Sequence, residues 1–153
     1  MAKRVLVVDD YAPTVDLVRD ALEIAGFSVL SAENGAECLL AVGAEHPDLV
    51  ILDVAMPVMD GLKTLRVLRE NPDTRHLPVI LLTGRSEWPR VVDGWREGAS
   101  LYLTKPVKVQ AVVASARWLL GMLQPQGSSL TADERGAGPQ HSPLRNSTVI
   151  VDS

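Results

Sequence analysis

The sequence predicts an α/β fold in which a parallel sheet is covered by helices on both faces. Short apolar runs rich in Val, Ile and Leu recur without polar alternation, which is typical of strands buried on both faces. The segments between them carry apolar residues at helical spacing, and alternation of strands with helices predicts a parallel sheet. The expected strands are Val5–Val8, Phe27–Leu30, Leu49–Leu52, Pro78–Leu82 and Leu101–Leu103.

The first helical segment shows the pattern that predicts the helices. Val15, Val18 and Leu22 recur every three or four residues with charged residues between them, and Gly26 closes the segment. Similar spacing predicts four further helices, at about Ala36–Glu45, Leu62–Arg69, Arg90–Glu97 and Val109–Leu123.

Composition restricts the class of protein. The 153 residues suit one domain with a modest tail, and 46% apolar with 22% charged residues is the balance of a soluble globular chain. A net charge of −4 without a basic block gives no reason to expect nucleic acid. The apolar run near the N-terminus is too short for a signal peptide or membrane span, and a single cysteine suits a reducing compartment. We therefore expect a cytoplasmic protein that does not bind membranes.

A change in composition divides the chain into a domain over residues 1–124 and a tail over residues 125–153. The tail is rich in Gly, Ser and Pro, so we expect it to be flexible. Its segment Ser147–Val151 nevertheless has strong strand propensity. That segment could pair with an exposed sheet edge or a partner, although we expect an unengaged chain end.

Polar side chains follow four of the five expected strands. Asp9 and Asp10 follow the first, Asp53 the third, Thr83 the fourth and Lys105 the fifth. In an open α/β sheet, ligands bind beyond the carboxyl ends of the strands. If these four strands are neighbours, the side chains converge on one crevice.

Three carboxylates in one crevice repel one another, by roughly 3 kcal/mol for a pair about 5 Å apart at an effective dielectric near 20. A raised pKa or a cation relieves this repulsion, and Mg²⁺ is the simplest cation because it takes oxygen ligands and bridges carboxylates to phosphate. Lys105 and Thr83 add a positive charge and a hydroxyl suited to phosphoryl oxygens. Each residue alone has an ordinary structural interpretation, such as a helix cap or a solvated charge. Their joint occurrence in this order is the specific signal.

At this point the sequence resembles the receiver domain of bacterial two-component response regulators over about residues 3–123. The resemblance implies a flavodoxin-like (βα)5 fold, a doubly wound parallel sheet in strand order 2-1-3-4-5. It also implies a phosphoacceptor switch that promotes its own phosphorylation and dephosphorylation, rather than an enzyme. The motifs that carry it are Val5-Leu-Val-Val-Asp9-Asp10, Asp48-Leu-Val-Ile-Leu-Asp53-Val-Ala-Met56-Pro57-Val-Met-Asp60-Gly61, Leu81-Leu82-Thr83-Gly84 and Gly98-Ala99-Ser-Leu-Tyr102-Leu-Thr-Lys105-Pro106.

The resemblance assigns Asp53 as the acceptor of a phosphoryl group from a sensor histidine kinase or a phosphotransfer protein. It implies one Mg²⁺, held by the side chains of Asp10 and Asp53, by the backbone carbonyl of Ala55 and, through water, by Asp9.

The resemblance also implies roles for the residues after the last two strands. Lys105 would pair with the phosphoryl group, and its bond to Pro106 would be cis. Thr83 and Tyr102 would be the switch pair, with Tyr102 moving inward when Thr83 binds the phosphoryl oxygen. Arg85, two residues after Thr83, departs from common members, as does the small Ala55. We hypothesise that Arg85 lengthens the phosphorylated lifetime.

The route of output is open at this stage. We expect no second folded domain in this chain, hence a stand-alone receiver that acts through a protein partner or a homodimer. Trp118 lies outside the core stripe expected for the last helix, and Trp88 and Trp95 lie in or near the fourth. These tryptophans either fill a small core or form a binding patch.

Three other classes fit less well. A phosphatase similar to the haloacid dehalogenases would carry Asp-x-Asp at the first strand, where this chain has Asp9-Asp10-Tyr11. A nucleotide-binding domain would need a Gly-rich phosphate loop, which the sequence lacks. A receiver that docks partners without being phosphorylated would not need the complete acceptor set.

Overall fold

The computed structural model describes residues 2–93, 98–122 and 150–151. They contain one sheet in the order β2-β1-β3-β4-β5-β6, in which every described pair of strands is parallel. The order 2-1-3-4-5 is therefore confirmed, and a sixth strand is added beside β5. The strands are β1 (Arg4–Val8), β2 (Ser28–Ala32), β3 (Leu49–Asp53), β4 (Val79–Thr83), β5 (Leu101–Thr104) and β6 (Ile150–Val151).

Five helices connect the first five strands or follow them, and a short 3₁₀ turn at Arg85–Glu87 precedes the fourth helix. The prediction started that helix at Arg90, but it begins at Trp88 because Pro89 is tolerated in the first turn of a helix. The helices are α1 (Ala12–Ile24), α2 (Gly35–Glu45), α3 (Gly61–Glu70), α4 (Trp88–Asp93) and α5 (Val109–Leu119).

Several other boundaries differ from the prediction, and two of these differences follow from turns. Phe27 was assigned to the second strand, but its N–H donates to the Leu22 carbonyl at 3.0 Å and so closes the end of α1. The last helix stops at Leu119 because Gly121 takes φ +70°, a left-handed conformation that favours glycine and ends helices.

The sheet separates two apolar cores. One lies under α2, α3 and α4 and the other under α1 and α5. Every residue of β3 and β4 is buried, which explains why these strands read as continuous apolar runs. The two-sided burial fixes the strands, and therefore their carboxyl ends, in one register.

Strand β6 is the main difference from the sequence expectation. Ile150 lies opposite Tyr102 and Val151 opposite Leu103, in parallel pairing. For these two residues the expectation of an unengaged chain end was wrong, and the alternative of pairing with a sheet edge is what the structure has. The remaining tail residues, 125–149 and 152–153, lie outside the described residues, so the flexible tail stays a prediction.

Within the described residues, no helix has the length and apolar character needed to cross a membrane.

Candidate functional site

The strand order brings the polar strand ends to one edge of the sheet. Asp53 and Thr83 are the last residues of β3 and β4, while Asp9 and Lys105 directly follow β1 and β5. Backbone hydrogen bonds continue the ladder beyond the strands. The Asp9 N–H donates to the Ala32 carbonyl at 3.1 Å, and the Lys105 N–H donates to the Thr83 carbonyl at 2.9 Å. The site residues are therefore held by the sheet itself.

Three carboxylates meet at this edge. One oxygen from each of Asp9, Asp10 and Asp53 lies within 4.8 Å of the other two. Asp9 and Asp53 are each only 2% exposed, whereas Asp10 is exposed. The Tyr11 N–H donates to Asp9 Oδ1 at 3.0 Å, but the buried Asp9 Oδ2 has no hydrogen-bond partner among the described residues. A buried carboxylate oxygen without a partner, in a set of hard oxygen donors, fits a divalent cation such as Mg²⁺.

Lys105 supplies the positive charge next to the buried carboxylate. Its Nζ lies 2.6 Å from Asp53 Oδ1. Burial by itself lowers the pKa of the ammonium, but the hydrogen bond and charge of Asp53 outweigh burial, so the pKa of Lys105 is raised. The lysine is therefore a fixed cation at the acceptor, half-buried between protein and solvent.

The pKa values of the two buried carboxylates are raised in spite of this lysine. Burial raises the pKa of Asp53 to about 6, and the charge of Asp9 adds to burial while Lys105 opposes it. Burial likewise raises the pKa of Asp9. The cluster thus holds more negative charge than its surroundings stabilise, which is the property of a site that gains from a bound cation.

The loop after β3 is pressed against the backbone of Asp53. The Gly61 N–H donates to the Val54 carbonyl at 2.9 Å, and a Cβ atom on Gly61 would lie 2.2 Å from the Asp53 carbonyl oxygen. Only glycine permits so close an approach.

Earlier in the same loop, a tight turn is centred on Val58, whose φ is +69°. The Met59 N–H donates to the Pro57 carbonyl at 2.7 Å across this turn. A β-branched residue rarely takes this conformation, so the loop stores backbone strain.

The remaining residues assigned by resemblance lie close to this site or on the strand that leads to it. Thr83 is fully buried and its hydroxyl donates to the Gly84 carbonyl at 3.2 Å. The Tyr102 side chain is fully buried in the core under α4. Arg85 is exposed just beyond β4, and Ala55 is exposed in the bend after β3. The Lys105–Pro106 bond is cis.

Two charged residues near the site were not singled out from the sequence. Asp60 caps α3 by accepting the Lys63 N–H at 2.9 Å, and its other oxygen accepts from Arg90 at 2.7 Å, which ties α4 to the loop after β3. Glu87 accepts the Gly84 N–H at 2.9 Å, and its charge helps to raise the pKa of Lys105. The sequence carried a signal for each residue. Asp60 directly precedes Gly61, the first residue of a helix, which is a typical capping position. Glu87 lies three positions after Gly84, which is the spacing of a capping box.

The two described tryptophans differ in burial, which was the basis for choosing between core filling and a binding patch. Trp88 packs, partly buried, against the core under α4, whereas Trp118 on α5 is 56% exposed. Trp95 lies outside the described residues.

Comparison with known proteins agrees with this geometry. The model of the response regulator receiver domain matches residues 5–117. The response regulator MprA of Mycobacterium bovis is 37% identical over 129 residues, which are 84% of this chain and 55% of MprA. The response regulator PleD of Caulobacter vibrioides is 38% identical over 119 residues, which are 78% of this chain and 26% of PleD. The chain thus spans about half the length of the curated relatives it matches, or less.

Solved structures show the same fold. The signal receiver domain of a signal transduction histidine kinase from Syntrophus aciditrophicus superposes with a TM-score of 0.74 at 35% identity, over 80% of this chain and 93% of that one. The chemotaxis response regulator CheY4 of Vibrio cholerae gives a TM-score of 0.72 at 28% identity, over 78% of this chain and 99% of that one. The family match over residues 5–117 covers most of the chain and includes the strands that build the carboxylate cluster. The chain therefore belongs to the response regulator receiver domain family.

Proposed function

We propose that this chain is a phosphorylation-operated switch in which Asp53 accepts a phosphoryl group. The observation that carries the proposal is the 2.6 Å contact of Lys105 Nζ with Asp53 Oδ1 inside a cluster of three carboxylates. A buried nucleophile with a fixed cation beside it is suited to phosphoryl transfer, where positioning and charge supply most of the catalysis.

The transfer step is a displacement at phosphorus. A carboxylate oxygen of Asp53 attacks the phosphorus of a phosphohistidine on a sensor histidine kinase or a phosphotransfer protein. The phosphorus–nitrogen bond breaks, the imidazole leaves, and Asp53 becomes an acyl phosphate. Because Asp53 must be ionised to attack, its pKa of about 6 keeps it mostly ionised at neutral pH.

The carboxylate cluster would hold Mg²⁺ during this step. Asp10 and Asp53 would bind it through their side chains, Ala55 through its carbonyl and Asp9 through water. The bound ion supplies positive charge to the phosphoryl oxygens. The unpartnered Asp9 Oδ2 supports this assignment, since a bound ion or its water would satisfy that oxygen.

The signal would then leave through β4 and β5. Lys105 moves its charge from the carboxylate to a phosphoryl oxygen, and Thr83 turns its hydroxyl from the Gly84 carbonyl toward the same group. Tyr102 lies one strand away from Thr83, so a shift of β4 reaches the face formed by α4, β5 and α5. We propose that a protein partner in the cytoplasm binds this face, with a homodimer through Trp118 as a second form of output.

Arg85 is proposed to set the lifetime of the phosphorylated state. Arg85 is exposed two residues after Thr83, the last residue of β4. From this position we expect its guanidinium to reach the phosphoryl group and shield it from water. Arg85→Ala should accelerate dephosphorylation, measured as the decay of the phosphorylated mass after the donor is removed. An unchanged decay rate would remove this role.

The proposed acceptor function is tested by incubation with acetyl phosphate and Mg²⁺ followed by intact-mass measurement. The wild-type chain should gain the mass of one phosphoryl group, and the gain should disappear with EDTA. Asp53→Asn is the acceptor control, and Asp16→Asn, which changes an exposed carboxylate on α1, is the matched control that should still gain mass. No gain in the wild-type chain would instead favour a receiver that docks partners without phosphorylation.

A further inference from the structure

The backbone N–H directly after β4 points toward the strand that carries the proposed acceptor. In a parallel sheet, the backbone groups of successive residues bond alternately to the two neighbouring strands. The Leu82 carbonyl accepts from the Val54 N–H on the side of β3, and the Thr83 carbonyl accepts from the Lys105 N–H on the side of β5. Gly84 is still extended, with φ −92° and ψ 175°, so its N–H points again to the side of β3.

A carboxylate from the chain itself occupies this N–H. Glu87 Oε1 accepts from the Gly84 N–H at 2.9 Å, and Glu87 Oε2 accepts from the Ser86 hydroxyl at 2.7 Å. The Glu87 N–H donates in return to the Gly84 carbonyl at 3.2 Å, within the 3₁₀ turn that precedes α4. The Glu87 side chain is therefore held back against the end of β4.

Glu87 is an anion that shares the cation of the site with Asp53. The Ser86 hydroxyl lowers the pKa of Glu87, burial opposes it, and the Gly84 N–H and the charge of Lys105 lower the pKa further. Glu87 is therefore ionised at neutral pH. Burial lowers the pKa of Lys105, but Asp53 outweighs burial, and the charge of Glu87 adds to the increase. The Glu87 carboxylate thus belongs to the electrostatic surroundings of the proposed acceptor.

The lack of a side chain at Gly84 gives this carboxylate its place. A Cβ atom on Gly84 would lie 2.8 Å from Glu87 Oε1, which is too close for the carboxylate to stay where it is. The backbone of Gly84 has a negative φ that any residue adopts, so the glycine is needed for space rather than for conformation. Alanine at this position would move the carboxylate and leave its charge in the chain.

We propose that Glu87 is a positioning residue that restrains phosphorylation, because its carboxylate occupies the Gly84 N–H that a phosphoryl group on Asp53 takes over. This role rests on the proposed function of Asp53 and concerns the regulation of the same site. A phosphoryl group brings about 1.5 to 2 negative charges, which repel the Glu87 carboxylate from the site.

The release of Glu87 links the acceptor to α4. The Thr83 hydroxyl and the Glu87 N–H both donate to the Gly84 carbonyl, so a turn of Thr83 toward the phosphoryl group and a release of Glu87 change the contacts of the same glycine. Glu87 directly precedes Trp88, the first residue of α4, so its displacement alters the start of that helix.

Hydrogen exchange of the amide at position 84, followed by NMR in the full chain, tests the contact and the exchange of partners. Without metal, Glu87→Ala should raise the exchange rate at least about fivefold, and Gly84→Ala, which moves the carboxylate, should raise it likewise. Glu87→Gln keeps an acceptor oxygen at the same reach and should stay within about twofold of wild type. With Mg²⁺ and the phosphoryl mimic beryllofluoride, the Gly84 amide should be equally protected in wild type and in Glu87→Ala. Exchange in β3 is the internal control for global stability.

The initial rate of mass gain with acetyl phosphate and Mg²⁺ tests the restraint. Glu87→Ala should gain mass about three to ten times faster than wild type, with Glu87→Gln between the two, because the half-exposed carboxylate no longer competes for the amide and the cation. Glu33→Gln removes an exposed carboxylate after β2, at the same edge of the sheet, and should stay within about twofold of wild type.

The possible failures separate the two proposals. Unchanged exchange at Gly84 in metal-free Glu87→Ala would overturn the contact, and an unprotected Gly84 amide in the beryllofluoride complex of that variant would overturn the exchange of partners. A normal mass gain in wild type with an equal or slower gain in Glu87→Ala would overturn the restraint alone. No mass gain in any chain would overturn the proposed function, and the restraint with it.

Discussion

Replacement of Asp53 by asparagine should stabilise the metal-free protein, although it removes the proposed acceptor. Folding raises the pKa of Asp53 from 3.8 to about 6, so the folded chain holds the proton more tightly than the unfolded chain between these values. Above about pH 6 the folded state must carry a charged carboxylate that burial disfavours. A shift of about two pH units corresponds to a cost of about 3 kcal/mol, which asparagine avoids.

The sign and pH range of this effect are specific. The cost is fully present at about pH 8 and falls to about 1.5 kcal/mol at pH 5, where the folded-state carboxyl is mostly protonated. Wild-type stability should therefore rise relative to Asp53→Asn as the pH falls through 6. Saturating Mg²⁺ should also stabilise the wild-type chain more than the variant, because a ligand that binds only the folded state adds its binding free energy.

Urea unfolding in EDTA at about pH 8 and pH 5 measures the free energy of unfolding of both chains. Asp16→Asn, at an exposed carboxylate that lies 3.4 Å from Arg19, is the control and should stay within about 0.5 kcal/mol at both pH values. The reasoning fails if Asp53→Asn is no more stable than wild type at pH 8, or if its advantage is the same at both pH values.

Three further predictions follow from the same geometry. Gly61→Ala should lower the free energy of unfolding by more than about 2 kcal/mol, because the new Cβ would lie 2.2 Å from the Asp53 carbonyl oxygen. The control Gly43→Ala, on the exposed side of α2 with open space around it, should raise the free energy of unfolding by about 1 kcal/mol. A loss of similar size in both variants would contradict this prediction. Val58→Gly should change the free energy of unfolding by less than about 1 kcal/mol or raise it, because glycine relieves the strain of φ +69°. A larger loss in a denaturant titration would show that no backbone strain is stored at this position. Lys105→Met should raise the pKa of Asp53 above about 6, measured by NMR titration of the carboxyl carbon without metal, and should slow phosphorylation by acetyl phosphate. An unchanged pKa of Asp53 would mean that the 2.6 Å contact between Lys105 Nζ and Asp53 Oδ1 has no electrostatic effect.

The first five strands and the carboxylate cluster were accessible from the sequence because they depend on local patterns that agree with each other. Asp9, Asp53, Thr83 and Lys105 each follow an apolar run, and parallel strands bring their carboxyl ends together. The strand order itself came from the family resemblance, since hydrophobic periodicity does not distinguish one arrangement of buried strands from another.

The features that the sequence did not provide depend on contacts between distant segments. The ion pair of Arg90 with Asp60 joins residues 30 positions apart, and its formation requires the packing of α4 against the loop after β3. The pairing of Ile150 with Tyr102 likewise depends on an open edge at β5, which strand propensity alone does not reveal. Strand propensity predicted that the C-terminal segment could pair, but the partner edge is a property of the folded sheet.

The central claim is that Asp53, and no other carboxylate of the cluster, becomes the acyl phosphate. Borohydride reduces an acyl phosphate to an alcohol, which converts the modified aspartate into homoserine. The chain is treated with acetyl phosphate and Mg²⁺, then with borohydride, and its peptides are sequenced by tandem mass spectrometry. We expect homoserine at position 53 alone. Homoserine at Asp9 or Asp10, or at no position, would contradict the account.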